Sequence, residues 1–394
     1  MSQQQTNPSP ADIERLKQEG FAVDIREGYL LVSDIPYVTG KREIRRGVLV
    51  CPYSRSDDGV RPHDHVARWA GEHPCHHDAC KLTKIENSSN RERLFADVFV
   101  DHTFSAKPKG RAVENYDDFY DKVTTYVAMI AGPAEFLEPG ITARTHRVIA
   151  PAAGSIFEYD DTASSRSHIA AIGEKLKGAN IAIIGVGGTG SYVLDLVAKT
   201  PVNAIHLYDE DYYLQHNAFR APGAPAKNAL EAIPKKAHYF RDLYSNMHKG
   251  IVAHDEYVGD TNIDQLRDKS FVFICIDRGE PKKVITAKLH EWNIPFVDVG
   301  MGVYKSGESL GGIVRVTTSS PSKRDHLEKH VSFGGGDPNA DYTHAIQIAD
   351  LNALNAALAV IKWKKIMGFY LDLEREHHSA YTIDGNNLVN EERA

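Results

Sequence analysis

Asn180-Ile-Ala-Ile-Ile-Gly185-Val-Gly187-Gly188-Thr-Gly190, running on into Ser191-Tyr-Val-Leu-Asp-Leu-Val-Ala-Lys199, is the stretch that decides the fold. The short apolar run before Gly185 is of the kind buried on both faces of a parallel sheet, and the segment from Ser191 to Lys199 is an amphipathic helix. Between them, Gly185 permits a tight turn, Gly187 and Gly188 let backbone amides approach a phosphate, and Gly190 lets the helix pack closely on the strand. The helix N-terminus adds donors and positive potential. The next apolar run, Ala204 to Tyr208, ends in Asp209, placed to accept hydrogen bonds from ribose hydroxyls. An NAD-dependent dehydrogenase would share both features.

The residues beyond Asp209 separate the two readings. Asp209-Glu-Asp211 leads to Asn217-Ala-Phe-Arg220, then to Pro234-Lys235, and the apolar run Phe271-Val-Phe-Ile-Cys-Ile ends in Asp277. Cations for phosphates and a separate carboxylate for a metal are what a triphosphate with Mg²⁺ requires, and hydride transfer needs none of them. In order and spacing these residues resemble the ThiF/MoeB family, whose adenylation domains also form the core of ubiquitin-activating enzymes. The resemblance runs from about Arg166 to Ile383. It implies a Rossmann-like α/β adenylation domain, with ATP and Mg²⁺ as cofactors. By position, Asp209 is similar to the ribose-binding aspartate, Asn217 and Arg220 to the family's Asn-x-x-Arg, Lys235 to the phosphate lysine and Asp277 to the Mg²⁺-linked aspartate. Arg166 is similar to the arginine that completes a neighbouring subunit's site, which implies a homodimer. Two departures stand out: Arg278 occupies the family's usual Asn position, and the spacing from Arg220 to Lys235 is slightly long, leaving Lys236 as a substitute.

The implied reaction is attack of a substrate carboxylate on the α-phosphorus of ATP, giving an acyl-adenylate and pyrophosphate. Many relatives then pass the acyl group to a downstream cysteine, but this chain has none after Cys275; Ser319 to Thr343 instead contains Phe333-Gly-Gly-Gly-Asp337, either a closing loop or plain surface. Cys51 and Cys275 lie in apolar runs and read as inert packing. Cys75 and Cys80, in His73-Pro-Cys75-His76-His77-Asp-Ala-Cys80 after His63 and His65, read as an exposed polar loop. A zinc site there is disfavoured by the lack of Cys-x-x-Cys spacing.

The first 150 residues change pattern. Ser9 and Pro10 start a short helix closed by Gly20, and Glu27-Gly28 joins two strand-like runs. Asn115 to Ala131 has a helical aromatic stripe that Gly132-Pro133 is expected to end. Residues 151–165 read as a linker, dividing the chain into a smaller α+β domain over 1–150 and the adenylation domain over 151–394. The first domain resembles the one preceding ThiF-like domains in bacterial ubiquitin-like conjugation operons. That implies a ubiquitin-like protein as substrate and a downstream conjugating enzyme as a further partner, with a microcin-type peptide adenylyltransferase, a sulfur-carrier activator and an inactive ThiF-like scaffold as alternatives. A net charge of −7 and pI near 6.3 supply no basic footprint for nucleic acid or an anionic membrane. With four cysteines in 394 residues and no signal-like or membrane-length apolar run, a cytoplasmic protein is expected.

Overall fold

The computed structural model describes residues 10–53, 55–56, 59–95, 98–108, 115–149, 151, 154–167, 169–333 and 346–393, with only the backbone described at 55, 56, 59, 60, 165 and 166. The chain forms two compact units, Met1–Ile149 and Ala150–Ala394.

The first unit opens with α1 (Ala11–Gln18) and the hairpin β1 (Ala22–Arg26) and β2 (Tyr29–Val38), joined by Glu27 and Gly28, both at positive φ as a tight two-residue turn needs. Next come β3 (Ile44–Pro52), β4 (Arg55–Ser56), β5 (Gly59–Val60), β6 (Val66–Ala70), β7 (Glu86–Ser88), β8 (Glu92–Phe95), β9 (Val98–Val100) and β10 (His102–Ser105). Six of these make an antiparallel sheet in the order β1-β2-β3-β6-β10-β7. α2 (Phe119–Leu137) buries Phe119, Val123, Tyr126 and Ile130 in a core with Leu30, Val32, Leu49, Trp69 and Phe104. Asp118 caps it by accepting from the Asp121 amide at 2.8 Å. Gly132-Pro133 does not end α2. Proline removes a single backbone donor, and one further turn buries Ala134 against Val38 and Cys75.

In the second unit, part of the stretch read as a linker is bonded to the domain: the Glu158 amide bonds Met247 O at 2.9 Å and the Lys249 amide bonds Ile156 O at 2.8 Å. After α3 (Thr162–Arg166) and α4 (Ala170–Gly173) come β11 (Asn180–Ile184), α5 (Gly188–Val197), β12 (Ala204–Tyr208), α6 (Gln215–Ala218), α7 (Lys227–Glu231), α8 (Lys236–Tyr244), β13 (Ile251–His254) and β14 (Phe271–Ile274). α9 (Gly279–Glu291), β15 (Phe296–Ser306), β16 (Ser309–Ser319), α10 (Leu327–His330), α11 (Ala349–Ile366), β17 (Glu376–Thr382) and β18 (Asn387–Arg393) complete it. The eight strands lie in the order β13-β12-β11-β14-β15-β16-β17-β18; pairings from β13 to β15 are parallel and those from β15 onward antiparallel.

One sheet face packs on α5, α8 and α11, with Ile181, Ile183, Phe271, Phe273 and Trp363 in a single apolar cluster. Ala182, Ile184, Val272, Ile274 and Phe296 face Ile285 and Leu289 of α9 on the other. Burial on both faces explains why these strands read as continuous apolar runs rather than alternating ones. The chain leaves β11 toward β12 on one side and returns to β14 on the other. The crevice at the C-terminal ends of β11 and β14 is therefore a topological switch point, where open α/β sheets bind ligands. No helix among the described residues is long and apolar enough to cross a membrane.

Candidate active site

The turn between β11 and α5 is built so tightly that Gly185 and Gly190 are obligatory. A β-carbon on Gly190 would lie 1.8 Å from Gly185 O, and Gly185 itself has φ +85° with Cys275 O 2.9 Å from where its β-carbon would be. A β-carbon on Gly188 would run into the side-chain amide of Asn352. Around Gly187 nothing lies within 4 Å, so the backbone there is open to an approaching group.

Asp209 ends β12 beneath this turn. It is almost fully buried and accepts from the Val186 amide at 2.9 Å and the Asp211 amide at 3.0 Å. Burial holds its carboxyl above the usual range, against the pull of Lys236 and of the two amides. Lys236, also buried, places Nζ 2.7 Å from Asp211 Oδ2 and 3.8 Å from Asp209 Oδ1. Lys235 points elsewhere: its Nζ donates to Glu210 O at 2.6 Å, pairs with Asp255 at 3.3 Å and lies over the Tyr212 ring. The lysine brought to the Asp209 cluster is thus Lys236. Tyr257, beyond β13, donates to Asp211 Oδ1 at 2.9 Å, and the Arg278 guanidinium lies 5.0 Å from the centre of its ring. Burial pushes Asp211 upward, but Lys236, Tyr257 and Arg278 together hold it below the usual carboxylate range.

Asn217 and Arg220 come from α6 and the turn after it. The Leu214 amide donates to Asn217 Oδ1 at 2.8 Å, which orients the side chain and leaves the buried Nδ2 without a partner among the described residues. Arg220 Nε is likewise buried and unpartnered among them. Burial lowers the Arg220 pKa, and nearby Asp277 opposes the shift. Asp277 itself is exposed at the sheet edge, just past the end of β14. Asn352, at the start of α11, joins the parts: its Oδ1 accepts from Thr189 Oγ1 at 2.9 Å and its Nδ2 donates to Arg220 O at 3.3 Å. Arg166 ends α3; its side chain lies outside the described residues. Motif spacing singles out neither Tyr257 nor Asn352, and it admits Lys236 only as a substitute.

Residues 164–360, half of the chain, match the ThiF family. The chain belongs to the ThiF family. Residues 11–162 match a domain of unknown function, DUF6791. The chain is similar to the tRNA threonylcarbamoyladenosine dehydratase of Escherichia coli K12, at 30% identity over 125 residues, which are 31% of this chain and 46% of that protein. It thus spans less than half the length of this curated relative. Among solved structures, E. coli MccB crystallised with AMPCPP and MccA is similar at 17% identity and a TM-score of 0.48, covering 60% of this chain and 72% of that one. PaaA is similar at 18% identity and a TM-score of 0.43, covering 56% and 75%.

Within this ThiF-family chain the cysteines divide unevenly. Cys51 is buried, and burial raises its thiol to about 11; burial also raises the Cys275 thiol strongly, with Asp298 adding to the shift. Cys75 is not the exposed thiol expected of the His-rich loop. Its backbone bridges Val38 and Lys81, which draws the side chain into the core. Cys80 is the exposed one, its amide bonded to Asp78 Oδ1 at 3.0 Å. Among the described residues, the loop brings together no metal-ligand group; the single such group is His330, Glu391 and Glu392. The Phe333-Gly-Gly-Gly-Asp337 segment lies outside the described residues from position 334.

Proposed function

We propose that this protein adenylates the C-terminal carboxylate of a small protein, of the ubiquitin-like class, with Mg-ATP. The observation that carries the reading is the crevice itself. An open glycine turn sits over a buried ribose-type carboxylate and a buried lysine, the donors Asn217 Nδ2 and Arg220 Nε are unpartnered among the described residues, and the exposed carboxylate Asp277 lies near Arg220. Buried donors without acceptors are costly, and phosphate oxygens would satisfy them.

In this reading the Gly187 and Gly188 amides at the start of α5 receive phosphate oxygens, Asp209 accepts from the ribose, and Asn217 donates to the bound nucleotide. Lys236 and Arg220 hold the triphosphate in line for the attacking carboxylate, and Asp277 holds Mg²⁺. The metal, when bound, offsets charge on the phosphate oxygens. No protein nucleophile is needed: the carboxylate oxygen bonds the α-phosphorus, the bond to the β-phosphate oxygen breaks, and pyrophosphate leaves. Residues 151–394 are the adenylation domain of a cytoplasmic homodimer in which Arg166 completes the partner's site, and residues 1–150 bind the substrate's body or a conjugating enzyme.

ATP–pyrophosphate exchange that depends on Mg²⁺ and on a carboxylate-bearing protein is the test. Asp277→Ala should abolish exchange, whereas Asp209→Ala should mainly weaken ATP affinity. A chain that binds NADH and not ATP by calorimetry would overturn the reading. A MccA-like peptide supporting exchange where ubiquitin-like proteins do not would move the substrate class to peptides.

A further inference from the structure

On β15 and β16 the register sets Gly300 opposite Arg315 and Gly302 opposite Ile313. Arg315 lies flat over Gly300: a β-carbon there would come 2.6 Å from Nε and 2.8 Å from Cζ of the guanidinium. Arg315 Nε is buried and has no hydrogen-bond partner among the described residues. Asp298, whose carboxylate also feels Arg315, is fully buried with Oδ1 2.6 Å from Nζ of the equally buried Lys282, and its Oδ2 has no partner among the described residues. Two cations around one carboxylate leave a positive charge over. The imidazole of His378, which also feels Arg315, is held neutral by burial and by its neighbours. A half-buried, uncompensated guanidinium with a free donor is stabilised by an anion that reaches it.

Its place in the fold says which anion. The last pairing of β14 with β15 is Ile274 with Asp298, so β14 stops while β15 runs on, and Gly300 lies level with the chain that leads into Asp277. Asn355 of α11 donates to Gly300 O at 3.1 Å and is itself almost fully buried, yet its Oδ1 has no partner among the described residues. Farther out, Gly302 is exposed, and a β-carbon there would meet only Ile313 Cγ2, at 3.8 Å. Gly302 therefore leaves the outer part of β15 open to an extended chain.

We propose that Arg315 is a specificity-determining residue, which receives an acidic side chain within the last few residues of the substrate's carboxyl-terminal tail. This rests on the adenylation reading. The substrate class is thereby narrowed to tails carrying Asp or Glu close to the carboxylate that is activated. The guanidinium bonds that carboxylate through Nε and a terminal nitrogen, a fork that lysine does not reproduce.

The test uses the full-length chain, ATP–pyrophosphate exchange and synthetic heptapeptides ending in glycine, with Asp, Asn or Lys scanned through the second to fifth positions from the end. At one position Asp should exceed Asn in kcat/KM by at least about tenfold, the size of one charge-assisted contact. Arg315→Gln should bring that ratio to near one, Arg315→Lys should keep part of it, and ATP affinity by calorimetry should stay unchanged. Because the ratio compares two peptides on one enzyme preparation, partial misfolding of a variant does not distort it. Exchange on these peptides without acidic preference at any position, or a preference that persists in Arg315→Gln, overturns the inference and leaves adenylation standing. Exchange on none of them, in a chain that binds ATP, overturns the inference and counts against the adenylation reading as well.

Discussion

Replacing Lys236 and Lys235 in turn separates a buried site cation from a surface one. Lys236 Nζ stands 3.8 Å from Asp209 Oδ1, with both side chains enclosed. At that distance the attraction is about 4 kcal/mol at an effective dielectric of about 20, before the cost of desolvating both groups is subtracted. Removing the lysine alone leaves a buried carboxylate without its cation, a loss of about 3 kcal/mol at the lower end for such pairs. Asp209 keeps two backbone donors and Asp211 is half exposed, so a stability loss of about 2 kcal/mol is the reasoned figure here. In the proposed reaction the same substitution removes a cation from the triphosphate, and exchange should fall by about 100- to 1000-fold. Lys235→Ala loses an exposed ion pair with Asp255 and should leave exchange within about twofold. Urea unfolding reads the stability change, and pyrophosphate exchange at saturating ATP reads the chemistry. If Lys235→Ala abolishes exchange while Lys236→Ala keeps it, the assignment of the two lysines is reversed.

Gly190→Ala should fail to give a cooperatively melting protein, since its methyl would lie 1.8 Å from Gly185 O, whereas Gly187→Ala, with open space around it, should melt near the wild type and lose ATP affinity; thermal melts and calorimetry read the pair. Inactive Arg166→Ala mixed with inactive Asp277→Ala subunits should recover part of the exchange activity under subunit-exchanging conditions, and no recovery would show that Arg166 does not act across a dimer. His378 is pushed from 6.5 down to about 4, by burial first and then by His330 and Arg315, so the fold favours its neutral form. Its contribution is therefore complete above pH 6.5 and is lost as the pH falls through about 4, amounting to about 3 kcal/mol. Urea unfolding of His378→Asn across that window should show a shallower pH slope than the wild type, and an unchanged slope would assign the acid sensitivity to other groups.

How much was legible in the sequence depends on how each feature is held. The glycine turn could be read because every constraint on it is local: Gly185 and Gly190 touch backbone only a few residues or one strand away, and no other residue fits. β11, β12 and β14 could be read because burial on both faces makes them mostly apolar, with only Asn180 and His206 interrupting the runs. β17 and β18 could not, for the opposite reason: polar residues pair across the ladder there, His378 with Glu391 and Ser379 with Asn390. The two lysines show where spacing alone runs out. Lys235 is the extended residue before α8, bridged to Tyr212, and Lys236 is the first helical residue, its amide bonded to Asp211 O at 2.8 Å. Which of the two adjacent side chains faces Asp209 is set by that pairing, a contact between segments 25 residues apart. Asn352 and Asn355 did leave a trace. Two asparagines three apart in the otherwise apolar run Leu351-Asn-Ala-Leu-Asn-Ala-Ala-Leu lie on one helical face and are buried with it, a placement that hydrogen bonds must offset. Their partners are Thr189, Arg220 O and Gly300 O, so a polar pair on a buried helix face was a signal of the site that motif spacing passes over.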